Sequence, residues 1–168
     1  MNAEAFDADE VDRIVAAWAR ERPDLDTGPL QVFSRVSRLA RHLDLARKTA
    51  FRTHGLVIWE FDVLSALRRA GKPYELTPGQ LMASTLVSSG TMTNRIDRMV
   101  DHGLVVRHAD PQDRRVVRVR ITTDGMRRVD RAMAELLERE AQLLASLPTA
   151  VRTELAGLLR TLLLPFEC

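Results

Sequence analysis

The chain has 168 residues, 45% of them apolar, with 25 lysines and arginines against 23 acids. That length builds one packed domain, or a small domain with helical extensions, and a formal net charge of +2 excludes a strong overall electrostatic drive toward nucleic acid. One cysteine, Cys168, excludes an intrachain disulfide framework, and no run of about 18 apolar residues or basic-then-apolar leader is present, so a soluble, cytoplasmic protein with no membrane partner is expected.

Charge is unevenly distributed. The first 26 residues hold eight acids, Glu4, Asp7, Asp9, Glu10, Asp12, Glu21, Asp24 and Asp26, against three arginines. Between Thr91 and Arg131 the balance reverses to ten arginines against six acids. A basic module beside an acidic end is the electrostatic footprint of a DNA binder.

In chain order, Val11, Ile14, Val15 and Trp18 predict a first helix over about Asp9–Glu21 with one apolar side. Pro23 and Gly28-Pro29 are expected to break it from a second helix over about Leu30–Thr53. A third begins near Leu56 and stops at Ala70-Gly71, ahead of Pro73. Its predicted apolar face is Leu56, Val63, Leu64 and Leu67, with Ile58, Asp62, Ser65 and Arg69 on the opposite stripe. Asp62 and Arg69 are two turns apart, roughly 10 Å along the axis, too far for an easy direct pair. From spacing alone they read as two exposed charges or as groups awaiting other partners.

Thr77-Pro78 reads as an N-cap followed by proline at the first helical position, opening a short helix that ends at Ser84-Thr85. The next segment, "SSGTMTNRIDRMVDHGLV" (Ser88–Val105), predicts a helix capped by Ser88 or Ser89 and closed by Gly103. Met92, Ile96, Met99 and Val100 are its expected buried stripe, while Thr91, Asn94, Arg95 and Arg98 fall on the other side. Such a face is either solvated or laid on DNA, where small N-terminal residues admit phosphates and Asn and Arg reach base edges. Beyond it, Val105 and then Val117, Val119 and Ile121 change to strand spacing, the latter three alternating with Arg118 and Arg120 around a turn started by Asp110-Pro111. Two helices joined by a turn and followed by two strands make a winged helix-turn-helix, with Asp113, Arg114 and Arg115 near the wing tip. Thr123 or Asp124 then opens a long helix to about Leu147, and Thr149–Leu164 forms a last one after Pro148. Leu136, Leu137, Leu143, Leu144, Leu147, Val151, Leu155, Leu158, Leu159, Leu162 and Leu163 exceed what one thin layer buries, so a dimer interface is expected over an intrachain core.

The run from Ser88 to Gly125 resembles the DNA-binding core of the MarR (multiple antibiotic resistance regulator) family. The wing pattern of that family, an aspartate, one residue, an arginine, alternating apolar residues and an LT-like end, matches Asp113, Arg115 and Ile121-Thr122. The likeness extends from about Asp9 to Leu164. It implies a mainly α fold with a small β wing, in which a winged helix-turn-helix over 56–122 is flanked by dimerisation helices over 9–55 and 123–168 within a single domain, 1–168. It also implies a homodimeric, sequence-specific regulator, by expectation a repressor, on a roughly palindromic double-stranded DNA operator. The DNA-binding residues so implied are Ser88, Ser89, Thr91, Thr93, Asn94, Arg95, Arg98, Asp113, Arg114 and Arg115.

An N-terminal helix carrying a tryptophan, an Asp–x6–Arg pair and an arginine in the recognition helix resemble the urate-responsive branch of that family. Carried over by motif, Trp18, Asp62, Arg69 and Arg95 would surround a small planar anion, urate or another small anion or aromatic. An enzyme is not expected: His42, His54, His102 and His108 are scattered and no nucleophile context or phosphate-loop spacing exists, so no catalytic residues are assigned. His102 reads as a favourable partner for a helix C-terminus. No ligand spacing for a metal and no cofactor motif is present, and terminal Cys168 lacks the setting of a redox sensor. The rival readings are a winged-helix module used for protein contact and a nonspecific architectural DNA binder.

Overall fold

The computed structural model describes residues 8–167, so Cys168, Glu4 and Asp7 lie outside the described residues. The chain divides into two compact units, residues 1–45 and 46–168.

The first unit holds α1 (Glu10–Glu21) and most of α2 (Gly28–Thr53). Asp9 caps α1, accepting hydrogen bonds from the N–H groups of Val11 and Asp12 at 2.8 and 3.0 Å, and Asp12 returns the bond to the Asp9 N–H at 2.9 Å. This reciprocal capping box satisfies donors that a helix start leaves orphaned. Arg35 on α2 then grips the same cap, donating to Asp9 at 2.9 Å and to Asp12 at 2.8 Å. The expected α1 stripe is only partly buried: Val11 is buried, Ile14 and Val15 are half-buried and Trp18 is 49% exposed. The break expected at Gly28-Pro29 is also corrected, because both residues lie inside α2. Proline in a first turn gives up an N–H that has no helical partner there.

In the second unit, the end of α2 and α3 (Ile58–Arg69) form the centre. Phe51 of α2 stacks on Phe61 of α3 with ring centroids 3.8 Å apart. Seven of the twelve α3 residues are buried, including Glu60 and Ser65. Ser65, expected on an exposed stripe, is therefore inside: a helix packed on several sides has no single outer face.

After α3 come β1 (Glu75–Leu76), α4 (Pro78–Thr85), α5 (Ser89–Asp101), β2 (Val105–Ala109) and β3 (Val117–Ile121). Thr77 caps α4 in a second capping box with Gln80, as its Thr-Pro start predicts. The sheet is antiparallel in the order β1-β3-β2, with Val105 opposite Ile121 and Leu76 opposite Val119. Strand β1 was not anticipated, since two residues are too few to display a period. On α5, Met92, Ile96 and Met99 are buried but Val100 is 39% exposed. One further step of about 100° carries Val100 off the line of the other three.

α6 (Thr123–Leu143) ends four residues before the expected Leu147, and α7 (Thr149–Leu163) runs into a 3-10 turn, Leu164–Phe166. Thr122 caps α6 through the Gly125 N–H at 3.0 Å and donates to the Gly103 carbonyl at 2.8 Å, tying the end of α5 to the start of α6. Gly125 is required here: a Cβ would lie 2.3 Å from the Leu104 carbonyl oxygen. α7 contributes no buried residue, and Leu158, Leu159, Leu162 and Leu163 are all exposed.

Candidate nucleic-acid interface and effector cavity

α5 presents an outer face that is largely exposed. Ser88, Ser89, Thr91, Thr93, Asn94 and Arg98 are exposed and Arg95 is half-buried. Ser88 caps by position, its carbonyl accepting from the Met92 N–H at 2.9 Å, but its side chain makes no capping bond; the hydroxyl pairs instead with that of Thr91 at 3.0 Å. The opening N–H groups of α5 thus retain the positive end of the helix dipole toward the outside. Asn94 is exposed on this face, its side chain turned to no partner within the helix. A brace unseen in the sequence holds the helix from the wing side. Arg107 of β2 donates to Asp97 at 2.5 Å and to the Thr93 carbonyl at 3.3 Å.

At the other end, His102 Nδ1 lies 2.9 Å from Glu60, a carboxylate only 3% exposed that also accepts from the Val57 N–H at 3.0 Å. Besides sitting at the helix terminus, His102 therefore ties α5 to the start of α3.

The wing is built around Asp110. Its carboxylate accepts from the Gln112 N–H at 2.8 Å and from Arg118 Nε at 2.5 Å. The Gln112 hydrogen bond, and then Arg118, hold this carboxyl below the usual aspartate range. Glu75 of β1 reaches His108 at 2.9 Å, so the third strand helps anchor the wing base. At the tip, Asp113 accepts from the N–H of Arg115 at 3.0 Å and from its Nε at 3.3 Å. Asp113 thus shapes the turn, while the Arg115 side chain is 93% exposed and Arg114 is exposed beside it.

Asp62 and Arg69 line one cavity of about 320 Å³. They make no direct pair. Asp62 instead accepts from Arg47 Nη2 at 3.3 Å, and Arg47 is a lining residue that sequence reasoning missed. Arg47 Nε is buried without a hydrogen-bond partner among the described residues. Burial raises the Asp62 carboxyl above its ordinary value, opposed by the charges of Arg47, Arg95 and Arg69. Phe61 and Met133 give the cavity apolar surface, Ser65, Ser84 and Thr85 give it hydroxyls, and Leu86 of the α4–α5 turn reaches its edge. Leu86 is left-handed, φ 52°, and 93% exposed. Arg95 does not line the cavity, but its guanidinium lies 5.5 Å from the Trp59 ring centroid, beside Arg98 at 5.4 Å. Trp18 belongs to the first unit.

A larger cleft, about 590 Å³, runs along α6 past His54, Arg131, Glu135 and Arg139. Its central polar groups already bond one another, with Glu135 3.0 Å from His54 and 2.8 Å from Arg139. It lacks the aromatic floor of the smaller cavity. No group of three or more metal-ligating side chains occurs among the described residues, and no described helix is long and apolar enough to cross a membrane.

A two-helix module with a buried α5 stripe, an open outer face and a three-stranded wing invites comparison with DNA-binding proteins. The MarR family profile matches residues 54–116, from the end of α2 to the wing. Over a far longer stretch, the HTH-type transcriptional regulator PecS of Dickeya dadantii (strain 3937) is 35% identical across 150 residues, 89% of this chain and 90% of PecS. The chain belongs to the MarR family. Among solved structures, a MarR family protein from Bacillus stearothermophilus superposes with a TM-score of 0.72 over 86% of this chain and 99% of its own, at 23% identity. Bordetella bronchiseptica BpsR, whose DNA binding is regulated by 6-hydroxynicotinic acid, aligns at 26% identity and TM-score 0.57 over 76% of this chain and 91% of its own. The MarR assignment makes this a DNA-binding transcription regulator with a winged-helix fold.

Proposed function

We propose that the chain acts as a homodimeric repressor that reads a roughly palindromic operator and releases it on binding a small planar anion. The observation that carries the DNA half is the outer face of α5, where hydroxyls, Asn94 and Arg98 stand exposed above a fully buried stripe. Asn94 and the two arginines suit base edges, Ser88, Ser89, Thr91 and Thr93 suit phosphates, and Arg114 and Arg115 suit a narrow minor groove. Asp113 serves by shaping the wing tip. Residues 56–122 then form the DNA-contacting part, and the helices over 9–55 and 123–168 supply dimerisation. The uncovered leucines of α7 support that division, because a second copy is the simplest cover for such a face in a twofold assembly.

The effector half rests on charge balance. Three arginines, Arg47, Arg69 and Arg95, act on one aspartate, Asp62, leaving the site positive. With an aromatic and thioether floor and about 320 Å³ of space, it suits a flat anion rather than a cation or a long chain. The planar aromatic acid that regulates BpsR is of this class, as is urate, toward which the Asp62, Arg69 and Arg95 pattern points. Trp18 enters the effector set through the family resemblance alone. Because Arg95 stands on α5, an anion that draws it toward Asp62 shifts the population away from the DNA-binding arrangement.

The test is anisotropy of labelled duplex from upstream of the gene, titrated with urate and with 6-hydroxynicotinate. Asp62→Ala and Arg69→Ala are expected to bind the duplex like the parent yet to lose at least about tenfold of the anion response. Loss of DNA binding in both would make the pair structural, and full anion release in both would place the effector elsewhere.

A further inference from the structure

Trp59 stands on α3 three residues before Asp62, so the two share one side of that helix. Arg95 and Arg98 are likewise three residues apart on α5. The two pairs meet: both guanidiniums lie against the Trp59 ring, at 5.5 and 5.4 Å from its centroid, inside the range where a cation is held by the ring's negative face. Trp59 is itself partly buried and packed against the core formed around α3, so the ring is an anchored platform for the two arginines.

We propose that Trp59 is a positioning residue for DNA recognition, holding Arg95 and Arg98 in the orientation from which they meet the duplex. The chemistry suits the task. A guanidinium attracted to an aromatic face keeps its N–H donors available, so the same group remains able to bond a base edge, a phosphate or an anion. Stacking also removes rotamer freedom before binding, and freedom already lost is not lost again when the complex forms. Neither guanidinium has a hydrogen bond or ion pair to fix it among the described residues. For Arg95 the platform has a second consequence. Its charge acts on Asp62, a lining residue of the cavity that Arg95 itself does not line. Trp59 is thereby placed to set how strongly an anion must pull before Arg95 leaves its DNA-ready position.

The proposal rests on the reading that α5 lies on DNA, and the experiment separates the two. Anisotropy is measured on upstream and scrambled duplexes over a range of salt. Trp59→Leu is expected to narrow the preference for upstream DNA about tenfold, with an unchanged slope of log affinity against log salt, because every cation remains. Trp59→Phe, which keeps a ring, is expected to retain most of the preference. An unchanged preference in Trp59→Leu, or a loss in Trp59→Phe equal to that in Trp59→Leu, overturns the proposal. If Arg95→Ala and Arg98→Ala also leave the preference intact, the DNA-facing assignment of α5 falls with it; if they abolish it while Trp59→Leu does not, the positioning role alone falls. Should Trp59→Leu lose its folded melt, emission decides. The chain has two tryptophans, so Trp18→Phe leaves Trp59 as the one indole, and removing both guanidiniums must shift its emission. No shift contradicts the platform.

Discussion

Asp110 ties the wing's two ends together. Its carboxyl is held below the ordinary value of 3.8, first by the Gln112 N–H and then by Arg118. A carboxyl whose folded pKa is depressed adds stability that is present above its unfolded pKa and lost as pH falls through the folded one. Asp110→Asn keeps a hydrogen-bond acceptor but not the charge. It is expected to melt a few degrees below the parent at neutral pH, with the gap closing below about pH 3.8. A gap of constant size from pH 7 to pH 3 in paired thermal melts would assign the loss to packing instead. The Asp-Pro pair marks this turn in the sequence, but its partner Arg118 becomes visible only once the β2–β3 register is known. Arg47 was hidden in the same way: nothing in the α2 pattern shows that it meets Asp62 fifteen residues on.

Among the elements, the proposed function divides the work of binding between α5 and the wing in a way that salt and sequence variation separate. On the proposed reading, Asn94→Ala removes an amide placed to read base edges and no charge, so it is expected to flatten discrimination among operator variants by about 1–3 kcal/mol at the positions read. Arg115→Ala removes one exposed cation, so affinity should fall and the salt slope with it by about one. Wild-type discrimination in Asn94→Ala would exclude direct readout by that side chain. These elements were legible because period, caps and turn residues agree: the Met92–Ile96–Met99 stripe, the Thr77-Pro78 cap and the alternation before Thr122 all appear in the fold. What escaped was non-local. β1 exists because β3 offers it an edge to pair with, Arg107 because β2 returns beside α5, and the burial of Ser65 because α3 is covered on several sides.

At the scale of the whole molecule, the fold class was readable from sequence and the share of each helix in the core was not. Periodicity gives α7 an apolar face, yet that face stays open within the chain. An apolar stripe encodes a need for cover and says nothing about whether the cover is intrachain. A second copy placing two α5 helices in successive major grooves would supply that cover and make the operator palindromic. Net charge fits this economy: at +2, specificity has to come from the arginine-rich module rather than from the whole surface. The most direct measurement is an anisotropy titration of the chain on duplex DNA from upstream of its gene against a scrambled duplex of equal length and composition. Tight, salt-sensitive binding that saturates at two chains per upstream duplex is expected, with the scrambled duplex weaker by about a thousandfold or more. Equal affinity for both duplexes, or saturation at one chain, would contradict the proposed function.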